Sequence, residues 1–165
     1  MKFLIVYTGD IGVGSEPMEM ESNGIGSCVV VILYDKVKRN GGMAHIMLPK
    51  KLGEHEEDII IKKTKQDSSY LMARYAPSGI DSLLSELSEL GSEKTDLVAA
   101  LVGGANMFAE LASGRASVGS RNVDSIESEL EKHGIEIIKR EVGGKVGRSV
   151  NFNLDEGKIE IVNNS

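Results

Sequence analysis

The stretch SNGIGSCVVVILYDKVKRNGGMAHIMLP, residues 22–49, decides the fold. It holds two apolar runs, 29–34 and 43–48, separated by the polar segment 35–42, which ends in paired glycines. The first run is continuous and β-branched, the pattern of a strand buried on both faces. The second is stopped by Pro49. Together they predict two neighbouring strands joined by a long hairpin loop. The same stretch carries the only cysteine of the chain, Cys28, where a small-residue loop enters the first strand. His45 lies 17 positions further on, in the second. Across a hairpin such a pair comes within hydrogen-bond reach. The stretch therefore poses a chemical question too: Cys28 is either buried filler or a nucleophile with His45 as its base.

Working outward, FLIVY (3–7) reads as a first strand. The charged segment 50–67 reads as a solvated loop or a flap, and 68–75 as a short helix. Beyond Pro77, Ile80, Leu83, Leu84, Leu87 and Leu90 follow helical spacing, with Gly91 as the stop. LVAALVGG (97–104) is a second buried strand. Val123, Ile126 and Leu130 mark a helix over about 119–133, stopped by Gly134. Residues 135–142 read as a strand, and 149–162 as a hairpin turning at Asp155, Glu156 and Gly157. The sum is one mixed α+β domain over residues 1–165, with many strands and two main helices. Glycine clusters at 24–26, 41–42, 103–104 and 143–147 read as loops.

Composition narrows the function. The chain has 165 residues, 41% of them hydrophobic and 27% charged, enough for one real core. Its net charge of -6 is a poor match for nucleic acid or an anionic membrane, both of which select basic patches. The apolar run at the start is too short for a signal peptide or a membrane span, so a cytoplasmic location is expected. One cysteine excludes an internal disulfide and any zinc site built on several cysteines.

A nucleophilic thiol needs available thiolate, a base in reach and donors for a developing oxyanion. The loop GIGS before Cys28 can turn backbone N–H groups inward, and the amides of Ser27 and Cys28 are the candidate oxyanion donors. Each feature also has a plain structural reading. A lone cysteine before a β-branched run serves as a small buried hydrophobe, and a lone histidine among apolar residues as a satisfied core side chain. GIG is weak as a phosphate loop, because it lacks the following helix and the lysine-plus-hydroxyl ending. Cys28 and His45 alone are too few for a metal, and His55 and His133 sit in polar contexts. No metal or organic cofactor is expected.

GIGSCVVVILYD and GGMAHIMLP resemble the signature of the CheD family, the chemoreceptor glutamine deamidases. LVGGANMF (101–108), VGSRNVDSIESELEKHGI (118–135) and VGGKVGRSVNFNLDEGKIEI (142–161) resemble later blocks of that family in the same order. The resemblance implies hydrolysis of receptor glutamine amides to glutamate and ammonia, with some activity on glutamate methyl esters. It places the nucleophile on Cys28, its histidine on His45 and the third triad member, a threonine in most of the family, on Ser22. Lys145 stands where the family often has asparagine. The implied fold is a three-layer α/β/β sandwich with mixed sheets, related to other Cys–His hydrolases. The implied partners are the receptor cytoplasmic domain, as substrate, and the chemotaxis phosphatase CheC, with Phe108 as a candidate contact. The competing reading is a docking partner of CheC with little or no turnover; a third is a cysteine hydrolase with another amide substrate.

Overall fold

The computed structural model describes residues 1–49, 71–106 and 117–164. Along them run β1 (Lys2–Ile5), β2 (Ile11–Ser15), β3 (Met18–Ile25), β4 (Val29–Asp35), β5 (Asn40–Ile46), α1 (Ala76–Glu89), β6 (Leu97–Gly103), α2 (Val118–Lys132), β7 (Glu136–Val142), β8 (Gly147–Asn153) and β9 (Lys158–Asn164). The strands form two mixed sheets, ordered β1-β3-β8-β9 and β2-β5-β4-β6-β7. In each, one neighbouring pair is parallel, β1 with β3 and β6 with β7. Among the described residues no helix is long and apolar enough to cross a membrane.

β4 lies at the middle of the five-stranded sheet, and all seven of its residues are buried. Its alternation sorts the core. Val29, Val31 and Leu33 pack with Ile80, Leu83 and Leu87 of α1 and with Ile126 and Leu130 of α2. Val30, Ile32 and Tyr34 pack with Met18 and Met20 of β3 and Val150 and Phe152 of β8. The helices thus cover one face of the large sheet and the four-stranded sheet covers the other. That is why the β4 sequence is apolar without a break.

The hairpin expected at 29–48 forms, with antiparallel register from Val29↔Ile46 to Asp35↔Asn40. Its loop is shorter than expected. Gly41 and Gly42 belong to β5 rather than to the turn. They are glycines because both sheet faces close tightly over them. A Cβ on Gly41 would come within 2.8 Å of the Phe152 ring, and one on Gly42 within 2.7 Å of both Leu83 and Val13. A second departure concerns 68–75. Of this segment 71–75 is described, and it is not helical. Its backbone pairs across the chain instead: Ala73 N–H donates to Gly9, and Met47 and Leu48 donate to Ala73 and Arg74. Strands β2 and β3 are absent from the sequence reading; β3 buries Met18, Met20 and Ser22 on one face while Glu19 and Glu21 lie on the other.

A buried polar chain ties the hairpin to the turn that follows α1. Asp35 accepts from the N–H groups of Val37 and Lys38 and from the Ser92 hydroxyl at 2.7 Å. Asn40 donates to Ser92 and accepts from Ser15. Burial alone would raise the Asp35 pKa, but these donors outweigh it and hold the carboxyl below its ordinary value. Ser92→Ala should therefore cost about 1–2 kcal/mol and Asp35→Ala about 2–4 kcal/mol at neutral pH, read by urea unfolding. A lowered folded pKa contributes stability above the ordinary carboxyl value of 3.8 and loses it as pH falls through the folded pKa. The deficit of Asp35→Ala should shrink in that acid range; two variants as stable as wild type would refute the network.

Candidate active site

Cys28 closes the loop just before β4, and His45 is the penultimate residue of β5. His45 pairs with Val30. Extending that register by one residue past Val29↔Ile46 sets Cys28 opposite Met47, and Cys28 packs against the Met47–Leu48 cluster. Cys28 and His45 thereby stand in the diagonal relation that brings side chains on one sheet face into reach. His45 lies on the face turned toward the four-stranded sheet, as its neighbours Val30 and Met43 do. Cys28 packs on the Met47–Leu48 cluster, and no hydrogen bond joins its sulfur to His45 Nε2. Backbone bonds pin His45 on its other edge: its N–H donates to Asp10 and its carbonyl accepts from Gly9.

Ser22 reaches His45 from β3. Its side chain is fully buried, and its Oγ lies 2.8 Å from His45 Nδ1 and 2.6 Å from the Val6 carbonyl oxygen. These two contacts fix the imidazole tautomer. A carbonyl can only accept, so the single hydroxyl proton of Ser22 goes to Val6. Ser22 Oγ must then accept from Nδ1–H. Nε2 is left as a bare lone pair, buried and without a partner among the described residues. Just beyond Ser22 the β3–β8 register shifts between Ser22 and Ile25, and Gly24 takes a positive φ of 63°. This bulge swings the chain out of the sheet and into the loop that presents Cys28.

Electrostatics leave the pair neutral at rest. Burial pushes the Cys28 thiol up to about 12, opposed in part by its own backbone N–H. Burial pulls His45 down to about 4. Cys28 keeps part of its surface open, so depth within the protein rather than complete enclosure sets its pKa. A neutral thiol and a neutral imidazole are the resting states that a general-base pair would have, rather than those of a preformed thiolate–imidazolium pair.

The loop ahead of Cys28 is bolted from two sides. Gly104 N–H donates to the Cys28 carbonyl at 2.8 Å and Ala105 N–H to Gly26 at 2.9 Å. From α2, the Asn122 amide nitrogen donates to the carbonyls of Ser27 at 2.8 Å and Met47 at 3.1 Å. Sequence reasoning missed Asn122. Its signal was there: Gly119, Asn122, Ile126 and Leu130 form the buried stripe of α2, and Asn122 is the one polar side chain on it beyond a glycine. Lys145 is exposed in the loop between β7 and β8. Phe108 and the expected flap at 50–67 lie outside the described residues. Away from this site, Asp81, Glu129 and His133 bring ligand atoms within 4.8 Å of one another, but His133 Nδ1 already faces the Lys94 ammonium at 3.0 Å, which opposes a second cation there.

A family model described as CheD chemotactic sensory transduction matches residues 47–163. Among curated proteins, the chain is similar to a "Probable chemoreceptor glutamine deamidase CheD" of Methanococcus vannielii. The two are 38% identical over 158 residues, covering 96% of this chain and 93% of the relative. It is similar to the "Chemoreceptor glutamine deamidase CheD" of Halalkalibacterium halodurans at 36% identity, covering 94% and 90%. A "Probable chemoreceptor glutamine deamidase CheD" of Pyrococcus horikoshii is 34% identical over 161 residues, covering 98% and 92%. The family model begins after His45, but the matches to relatives leave out only a few per cent of this chain and so span both Cys28 and His45.

The geometry sets a titration. His45 should stay neutral until pH falls to about 4, against an ordinary 6.5. The unfolded chain takes up that proton first, so stability should decline as pH drops from 6.5 toward 4. Imidazole ¹⁵N shifts should show Nδ1 protonated and Nε2 bare throughout neutral pH. A midpoint near 6.5, or a proton on Nε2, would overturn the tautomer assignment.

Proposed function

The chain belongs to the CheD family, and from that premise we propose that Cys28, His45 and Ser22 are the working residues of a chemoreceptor glutamine deamidase. The observation that supports this reading is the relay from the Val6 carbonyl through Ser22 to His45, which leaves Nε2 as an unpartnered base on the strand paired with the one Cys28 leads into.

His45 Nε2 removes the thiol proton as sulfur attacks the amide carbon of a receptor glutamine. With the thiol near 12 and the imidazole near 4, the proton moves together with the attack and not before it. The backbone N–H groups of Ser27 and Cys28 receive the oxyanion. The imidazolium then gives its proton to the departing nitrogen, and ammonia leaves behind a thioester. Water, deprotonated by His45, cleaves the thioester to glutamate and restores the thiol. A glutamate methyl ester passes through the same steps with methanol as leaving group. Ser22 holds the ring and its tautomer, the third-group role of a triad. The helix, sheet, sheet stacking is the arrangement expected of a fold related to other Cys–His hydrolases. The substrate is the cytoplasmic domain of a chemoreceptor, which places the protein in the cytoplasm.

A second reading draws on the same pKa values. A thiol held near 12 is also what a docking partner of a CheC-type phosphatase would carry if its pair had lost turnover. Ammonia release and the amide-to-acid mass shift on a purified receptor cytoplasmic domain separate the two. Wild type should produce both; Cys28→Ala and His45→Ala should produce neither. Ser22→Ala should lower kcat by roughly 10–100-fold, the scale of losing a group that orients a working imidazole. The acid limb of kcat/KM should sit near His45's value of about 4, not 6.5. No turnover by wild type on several receptors would favour the docking protein.

A further inference from the structure

We propose that Asn122 is a positioning residue for the oxyanion hole, holding the Ser27–Cys28 peptide so that the Cys28 N–H faces the reacting carbonyl. The proposal rests on the reading of Cys28 as nucleophile and extends it to a residue on a different element.

The first support is chemical. Both partners of the Asn122 amide nitrogen are carbonyl oxygens, those of Ser27 and Met47. Carbonyls only accept, so the side chain's orientation is fixed: NH2 toward the two strands, Oδ1 away. One amide thereby clamps the residue before Cys28 to the residue two past His45. The clamp spans the open end of the β4–β5 hairpin, where the ladder itself has ended at Val29↔Ile46.

The second support is the geometry of a trans peptide. The carbonyl of one residue and the N–H of the next point in opposite directions across a planar bond. With the Ser27 carbonyl held toward α2, the Cys28 N–H is turned away from α2. The N–H and the thiol belong to one residue, joined through Cα and Cβ, so the donor sits close to the sulfur. A donor on the side of its own nucleophile is where an oxyanion formed by that nucleophile would sit.

The third support is the cost of putting Asn122 there. α2 has to come very close. A Cβ on Gly119 would overlap the carbonyl oxygens of Ala105 and Gly104, so a glycine one turn before Asn122 lets the helix seat against the β6 end. Those same residues, Gly104 and Ala105, hold Cys28 and Gly26 from the other side. Asn122 itself is fully buried, yet its Oδ1 has no partner among the described residues. An apolar side chain would fill the helix stripe without leaving an acceptor bare, so what Asn122 contributes is the two donated bonds.

The test uses the full chain with a purified receptor cytoplasmic domain. Two rates are compared for wild type, Asn122→Ala and Asn122→Ser. One is amide turnover, which needs an oxyanion hole; the other is alkylation of Cys28 by iodoacetamide, a displacement that forms no oxyanion. Asn122→Ala should lose about 100-fold in kcat, the scale of a small misplacement of a reacting group. KM and the alkylation rate should stay near wild type. Asn122→Ser, with one donor in place of two, should fall between. Equal loss of turnover and alkylation, unchanged turnover, or failure of both variants to fold would overturn the proposal. Cys28→Ala runs alongside. If it still releases ammonia, the Cys28 reading has failed; if it is dead while Asn122→Ala is fully active, the Asn122 proposal alone has failed.

Discussion

The pairing of β4 with β5 is the constraint from which the rest follows. It is sealed on both faces, by two helices on one side and a second sheet on the other. A strand pair in that position cannot slip, because moving by one residue would exchange every side chain between the two cores. Its register therefore fixes His45 against Val30 and the Cys28 loop beside Met47. The same alternation turns His45 toward the four-stranded sheet, where β3 brings Ser22. Site geometry is thus inherited from core packing: no flexible segment among the described residues has to be ordered to bring Ser22 to His45.

Dryness is the second consequence. Among the described residues this histidine has no polar partner at Nε2 and no anion at Nδ1, only the Ser22 oxygen. Its affinity for a proton falls, while that of the buried thiolate rises. The resting enzyme is therefore uncharged at its centre and stable as such. In the proposed mechanism, charge separation is deferred to the moment when a substrate carbonyl supplies a place for the electrons and backbone N–H groups receive them.

What the sequence made legible follows the same physics. β4, β6 and the helix stripes were visible because burial on two faces, or on one helical face, writes long apolar patterns. β3 was not. Its inward positions are Met18, Met20 and Ser22, alternating with glutamates in a short polar stretch that resembles a loop. The glycines at 41–42 misled, because close approach of Phe152, Leu83 and Val13 selects glycine as firmly as a turn does. The helix expected at 68–75 failed over 71–75, where the backbone spends its hydrogen bonds on Gly9 and on the chain after β5. Cys28 and His45 were singled out through the hairpin they share and through the family resemblance. Asn122 was not, because its partners are backbone atoms more than 70 residues away, and such contacts leave no mark in local spacing.

The Ser22–His45 contact shows what a hydroxyl at Nδ1 does that a carboxylate would not. A carboxylate at Nδ1 would stabilise the imidazolium and raise the histidine's pKa, favouring an ion pair with Cys28 before any substrate arrives. It would also place a charge in a layer lined by Met20, Met43 and Val30, where desolvation is severe. A hydroxyl whose proton is already committed to Val6 does neither. It orients the ring and selects the tautomer at the cost of one hydrogen bond, and it leaves the core neutral. That choice trades resting nucleophilicity for a thiol protected from adventitious chemistry. In the proposed mechanism this suits a substrate that is one side chain on another protein, since only a carbonyl seated against the Cys28 loop would complete the circuit of proton and charge.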